Sequence, residues 1–138
     1  MTREEAISQI ETFFRRAGEC HFSFYADRDY IVARIGEAFI GFEYDEADEL
    51  LSAQALIHRF RREPADRMLD AVFGEETESN TGGGRLVFNS ENLAFYLQRD
   101  FDEFLGDSVF DTEIGRLARA GLKWNAEIVK RAAEKASV

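Results

Sequence analysis

Asn80-Thr81-Gly82-Gly83-Gly84-Arg85-Leu86-Val87-Phe88-Asn89-Ser90-Glu91-Asn92-Leu93-Ala94-Phe95-Tyr96-Leu97-Gln98 is the stretch on which the reading of the fold depends. At a period of two, Leu86 and Phe88 share one face of a first segment, and Leu93, Phe95 and Leu97 share one face of a second. That alternation predicts a β-hairpin. The four residues Asn89 to Asn92 suit the reversal, because Asn and Ser side chains bond nearby backbone and Asn tolerates positive φ. Gly82-Gly83-Gly84 could suggest a phosphate loop. Such a loop continues through Lys and Ser or Thr into a helix, however, whereas Arg85-Leu86-Val87 opens a strand. A tightly turned entry to the hairpin is the better reading.

Upstream, Thr2-Arg3-Glu4-Glu5 fits a capping box, and Ile7, Ile10, Phe13, Phe14 and Ala17 follow at helical spacing until Gly18. From Cys20 the period becomes two: Phe22 and Phe24 alternate with polar neighbours, then Tyr30 to Ile35 and Ala38 to Tyr44 follow as further strands. Glu49 to Phe60 is ambiguous. Leu51, Ala53, Ala55 and Ile57 alternate like a strand, while the Leu, Ala and Gln content suits a helix. Pro64 fits the first turn of a helix carrying Met68, Leu69, Val72 and Phe73, with Gly74 as its stop. Beyond an acidic connector, Asp111 or Thr112 is expected to cap a final helix with a stripe of Ile114, Leu117, Gly121, Trp124 and Ile128, fraying past Lys130. The order helix, strands, helix, hairpin, helix predicts one α+β domain over residues 1–138, with an antiparallel sheet of about five strands and three helices (α-β-β-β-α-β-β-α).

A chain of 138 residues with 45% hydrophobic and 13% aromatic content can bury a substantial core. Its 27 acidic against 17 basic residues give a net charge of −10, a field that disfavours nucleic acid and anionic membrane surfaces. The basic run His58-Arg59-Phe60-Arg61-Arg62 is followed by Glu63 and Asp66, and a solvated edge is a better reading of it than an anion site. Cys20 is the only cysteine, so no intrachain disulfide or thiolate metal cage is expected. The start Met1-Thr2-Arg3-Glu4-Glu5 has no leader-like pattern, which leads us to expect a cytoplasmic protein.

Enzyme signatures are weak. His21 and His58 lie far apart in sequence, and His21 and Cys20 as strand neighbours would point to opposite faces, so no metal is expected there. The acidic run Asp45, Glu46, Asp48 and Glu49 lacks the spacing, central Gly and terminal Glu of a calcium-binding EF-hand. No carboxylate pair is selected by spacing, so an enzyme with an acidic site remains a rival reading. The apolar character of both sheet faces is more informative. With Phe22, Phe24, Ile40, Phe42, Leu86, Phe88, Leu93, Phe95 and Leu97 toward the helices, Tyr25, Val32, Phe39, Val87 and Tyr96 are left on the other side. That face requires a cover, either a second subunit or a bound polypeptide segment.

The element order resembles the class I type III secretion chaperones, the Tir chaperone or CesT-like family. Pro64 ahead of Met68-Leu69 and Val72, the Thr81-Gly82-Gly83-Gly84 entry and Trp124 in the last helix carry the resemblance, with the YbjN-like group as a related alternative. The resemblance implies that Glu49 to Ile57 is a strand. It also implies a cytoplasmic, non-enzymatic homodimer without nucleotide or other cofactor, holding an extended segment of a secreted effector protein. By it, Met68, Leu69, Val72 and Phe73 would form the dimer contact, and Ile10, Phe14, Tyr25, Val32 and Phe39 would form the effector surface. The YbjN-like alternative would be a dimeric regulator or scaffold with no export client.

Overall fold

The computed structural model describes residues 1–17 and 30–137. Alternating side chains lay down five antiparallel strands among these residues: β1 (Tyr30–Ile35), β2 (Ala38–Asp45), β3 (Leu50–Arg59), β4 (Arg85–Asn89) and β5 (Ala94–Phe101). They form one sheet in the order β1-β2-β3-β5-β4. The ambiguous segment is thus a central strand. Leu51, Ala53, Ala55 and Ile57 all point into the core, a burial pattern of period two that decides against the helix propensity. The strand expected at Cys20 to Tyr25 and the stop at Gly18 lie outside the described residues.

The helices are α1 (Arg3–Arg16), α2 (Asp66–Phe73), α3 (Asp107–Lys123) and α4 (Val129–Ala136). A π-helical turn, Trp124–Ile128, joins the last two into a single rod. The capping box forms as expected: Thr2 Oγ1 accepts from the Glu5 amide, and the Glu5 carboxylate accepts from the Thr2 amide at 2.9 Å. α1 and α3 cover one face of the sheet. Ile10, Phe13, Phe14, Ile40, Phe42, Leu97, Phe110, Ile114 and Leu117 fill the space between, with Phe13, Phe42 and Phe110 meeting at ring separations of 5.6–6.2 Å.

Four boundaries differ from the sequence expectation. Pro64 stands before the N-cap Ala65 rather than inside α2. The last helix begins at Asp107 after Gly106, because Phe110 is needed in the core and only a helical start there aims it inward; the rod also persists to Ala136 rather than fraying at Lys130. Leu93 is not a strand residue: it occupies the reversal at φ +58°, and Asn89 pairs directly with Ala94.

The glycine run lies against α3 rather than around an anion. A Cβ on Gly82 would fall 2.8 Å from the Arg116 carbonyl oxygen, and one on Gly84 would fall 2.6 Å from that of Gln98. Gly82 also has φ +62°. Backbone without side chain is what lets this loop pass between β5 and α3. Trp124, fully buried, donates from Nε1 to the Asn80 carbonyl at 2.8 Å and ties the start of the run to the rod.

Candidate protein-binding surface

The side of the sheet away from α1 and α3 has no cover among the described residues. Its side chains come from alternate strand positions. Tyr30, Val32 and Arg34 lie along β1; Phe39, Gly41 and Glu43 along β2; Ser52, Gln54 and Leu56 along β3; Tyr96 and Gln98 along β5; and Val87 on β4. Register joins several of them into a row that crosses the strands. Arg34 faces Phe39, Leu56 faces Tyr96, and Tyr96 faces Val87. Between Phe39 and Tyr96 the surface dips into a hollow of about 270 Å³, lined by Tyr30, Val32, Phe39, Gly41, Gln54, Leu56, Arg59 and Tyr96. Val32 and Phe39 remain 46% and 47% exposed.

Two backbone features shape the hollow. Gly41 sits mid-strand under the Tyr30 ring: a Cβ there would lie 2.8 Å from the Tyr30 hydroxyl oxygen. The ring therefore lies down on bare backbone and walls one side. Arg59 reaches the hollow through a bulge. The β3–β5 register slips by one between Leu56 and His58, so that Arg59 lines the same space as Leu56. The Asn125 side chain in the π-helical turn donates to the Ile57 carbonyl at 2.8 Å, supporting the bulge from behind. His58, past the slip, packs edge-on against Phe60 at 4.6 Å, and burial lowers its pKa below the ordinary imidazole range.

The residues expected to form the effector surface separate. Val32 and Phe39 are exposed on the hollow, whereas Ile10 and Phe14 are 0% and 4% exposed. Those two lie in the core because α1 turns this stripe onto the sheet, which corrects their assignment to a surface. Tyr25 lies outside the described residues, as do Cys20 and His21. Of the residues expected at a dimer contact, Val72 is fully buried and helps seat α2 beside α4, which corrects its place there. Met68 and Leu69 are partly buried against the core. Phe73 is 41% exposed and stacks edge-on against Phe95 at 5.3 Å. Leu56, Gln54 and Gly41 were not singled out by sequence, and Arg59 was named only within a basic run read as a solvated edge. Leu56 and Gln54 follow from reading β3 as a strand, but Arg59 depends on the bulge, for which the sequence has no local signal.

On β4, the Leu86 amide donates to the Glu76 carboxylate at 2.8 Å, so the loop after α2 occupies part of that strand's edge. Glu75 in the same loop is held by Arg131 at 3.0 Å and Lys135 at 2.7 Å, anchoring it to α4. Among the described residues, no group of three or more His, Cys, Asp or Glu side chains is placed to hold a metal ion. No described helix is long and apolar enough to cross a membrane.

No family model matches the chain, and no curated protein matches it. Solved structures do. A chain of the ExsC–ExsE complex superposes over 93% of this chain and 97% of its own length, with a TM-score of 0.72 at 11% identity. The two chains share one fold. A chain of the HopA1–SchA chaperone–effector complex agrees over 91% of this chain and 98% of its own length, with a TM-score of 0.64 at 15% identity. The likeness to these chains is one of fold, and identity this low leaves the residues of the hollow to be argued from their own chemistry.

Proposed function

We propose that the protein is a non-enzymatic, chaperone-like binding protein that holds an extended segment of a secreted effector protein in the cytoplasm, acting as a homodimer. The observation that carries this reading is the open hollow across the sheet, where Val32, Phe39, Leu56 and Tyr96 present apolar surface with no cover among the described residues. The fold shared with chains of the HopA1–SchA and ExsC–ExsE complexes supports it.

Magnitudes favour an extended ligand. Covering the exposed halves of Val32 and Phe39 contributes on the order of 1–2 kcal/mol. Micromolar affinity needs about 8 kcal/mol. A segment must therefore engage several such positions along the row, as an extended chain with side chains alternating to one side does. Binding would be passive: the client's apolar residues are kept from one another, and the charge of −10 keeps the complex soluble. Met68, Leu69 and Phe73, beside the buried Val72, form the partly open apolar edge assigned to the second copy.

Co-purification from the native host is the direct test. A secreted protein retained through its amino-terminal segment, and lost with Phe39→Asp, is the expected result. If the wild-type chain is a dimer in which covering of the hollow accounts for all its exposed apolar area, the scaffold reading without a client replaces this one.

A further inference from the structure

The open face carries two cations that no carboxylate of the described residues takes up. Arg34 stands at one end of the apolar row: its guanidinium carbon is 5.8 Å from the centre of the Phe39 ring, and its Nε donates to the Gly36 carbonyl at 3.0 Å. Arg59 is turned into the hollow by the slip between Leu56 and His58. Neither forms an ion pair with a described residue, whereas Arg85 on the same face is closed by Asp100 at 3.0 Å. In a chain with 27 acidic residues, Arg59 in the hollow and Arg34 beside Phe39 at the end of the row are two exposed cations next to an apolar floor, and no described carboxylate pairs with either.

We infer that the hollow, together with its rim at Phe39, selects extended polypeptide segments in which Asp or Glu neighbours the apolar side chains, Arg59 in the hollow and Arg34 on the rim taking the carboxylates while Phe39 and Leu56 take the apolar groups. This rests on the reading of the open face as a polypeptide-binding surface. The chain's net charge favours basic ligands at long range, but that field is screened within about 8 Å at physiological salt. At contact, a planar guanidinium can hold a carboxylate through two hydrogen bonds, and the adjoining apolar surface excludes part of the competing water. Each of these contacts therefore outweighs the distant charges once the segment is seated.

Fluorescence anisotropy with three labelled synthetic peptides tests this on the full chain. The peptides share one alternating series of Ile, Val and Leu and differ only in the intervening residue, which is Asp, Gln or Lys. The Asp peptide is expected to bind about tenfold tighter than the Lys peptide, as two partly desolvated charge pairs would give. The double variant Arg34→Gln, Arg59→Gln should lose that preference, binding the Asp and Lys peptides within about twofold of one another, and should fold as the wild type does since both side chains are exposed. Phe39→Asp should weaken all three peptides. Tightest binding of the Lys peptide, or an unchanged order in the double variant, overturns the charge selection, and the loss on Phe39→Asp would then leave the polypeptide reading standing. If no peptide binds and Phe39→Asp instead changes the sedimentation coefficient, the face is covered by a second copy and both readings fall.

Discussion

Gly82, Asn125 and Phe39 carry different loads, and each can be tested singly. Gly82 combines φ +62° with backbone contact to α3, so Gly82→Ala is expected to destabilise the fold by about 1–3 kcal/mol, read from urea unfolding at constant m. Asn125→Leu removes the donor to the Ile57 carbonyl and should cost about 1–2 kcal/mol. Because that contact supports the bulge, the same variant should also weaken peptide binding at the hollow, whereas Gly82→Ala, on the far side of the sheet, should leave the affinity of the folded protein unchanged. Phe39 is half exposed, so Phe39→Asp should change the melting temperature little while abolishing client binding. At this scale the sequence was partly legible. The glycine run announced a special backbone, but the reason for it, the approach of α3, involves residues more than thirty positions away. Asn125 gave no signal, since an Asn within a helical stripe reads as a solvated position until the carbonyl it meets is known.

Among the elements, β3 and the terminal rod show how packing overrides local preference. β3 has helix-forming composition, but its alternate residues bury completely between β2 and β5, and the burial of Leu51 and Ile57 alone outweighs propensity differences of tenths of a kcal/mol per residue. Gly121 lets the rod approach this strand closely, since a Cβ there would meet that of Ala55 at 3.1 Å. The π-helical turn follows directly, placing both Trp124 and Ile128 in the core while Asn125 reaches the bulge. α2 is the element assigned to the dimer. Phe73→Asp combined with Leu69→Asp should convert a dimer to a monomer in sedimentation velocity, leaving Val72 to hold α2 on α4; a wild-type monomer at micromolar concentration would remove the dimer from the proposal.

For the molecule as a whole, electrostatics set the response to acid. The Arg131 hydrogen bond, then that of Lys135, holds Glu75 below the ordinary carboxylate value of 4.5 although its side chain is only 10% exposed. The Arg99 hydrogen bond does the same for Glu113. Burial pushes Asp100 up, but hydrogen bonds from Ser52, Gln98 and Arg85 outweigh it and leave it lowered. Lowered folded values mean stability that is complete above the unfolded pKa and is lost as pH falls through the folded one. The melting temperature should accordingly fall as pH drops below about 4.5, and Glu75→Gln should flatten that limb while lowering the plateau at neutral pH. A melting temperature independent of pH in this range would contradict the role of these pairs. From the residues alone come the element order apart from the undecided segment at Glu49 to Phe60, the hairpin, the inward residues Ile40, Phe42, Phe95 and Leu97, and the surplus of apolar residues on the second face, because periodicity is a local property that backbone geometry imposes. The sequence could not determine that Ile10, Phe14 and Val72 are buried, since an amphipathic stripe does not say whether its partner is the chain's own core or another protein. Nor could it bring Arg59 beside Phe39. That depends on a one-residue slip between two strands some forty residues apart, and only the packed sheet, held from behind by Asn125, decides it.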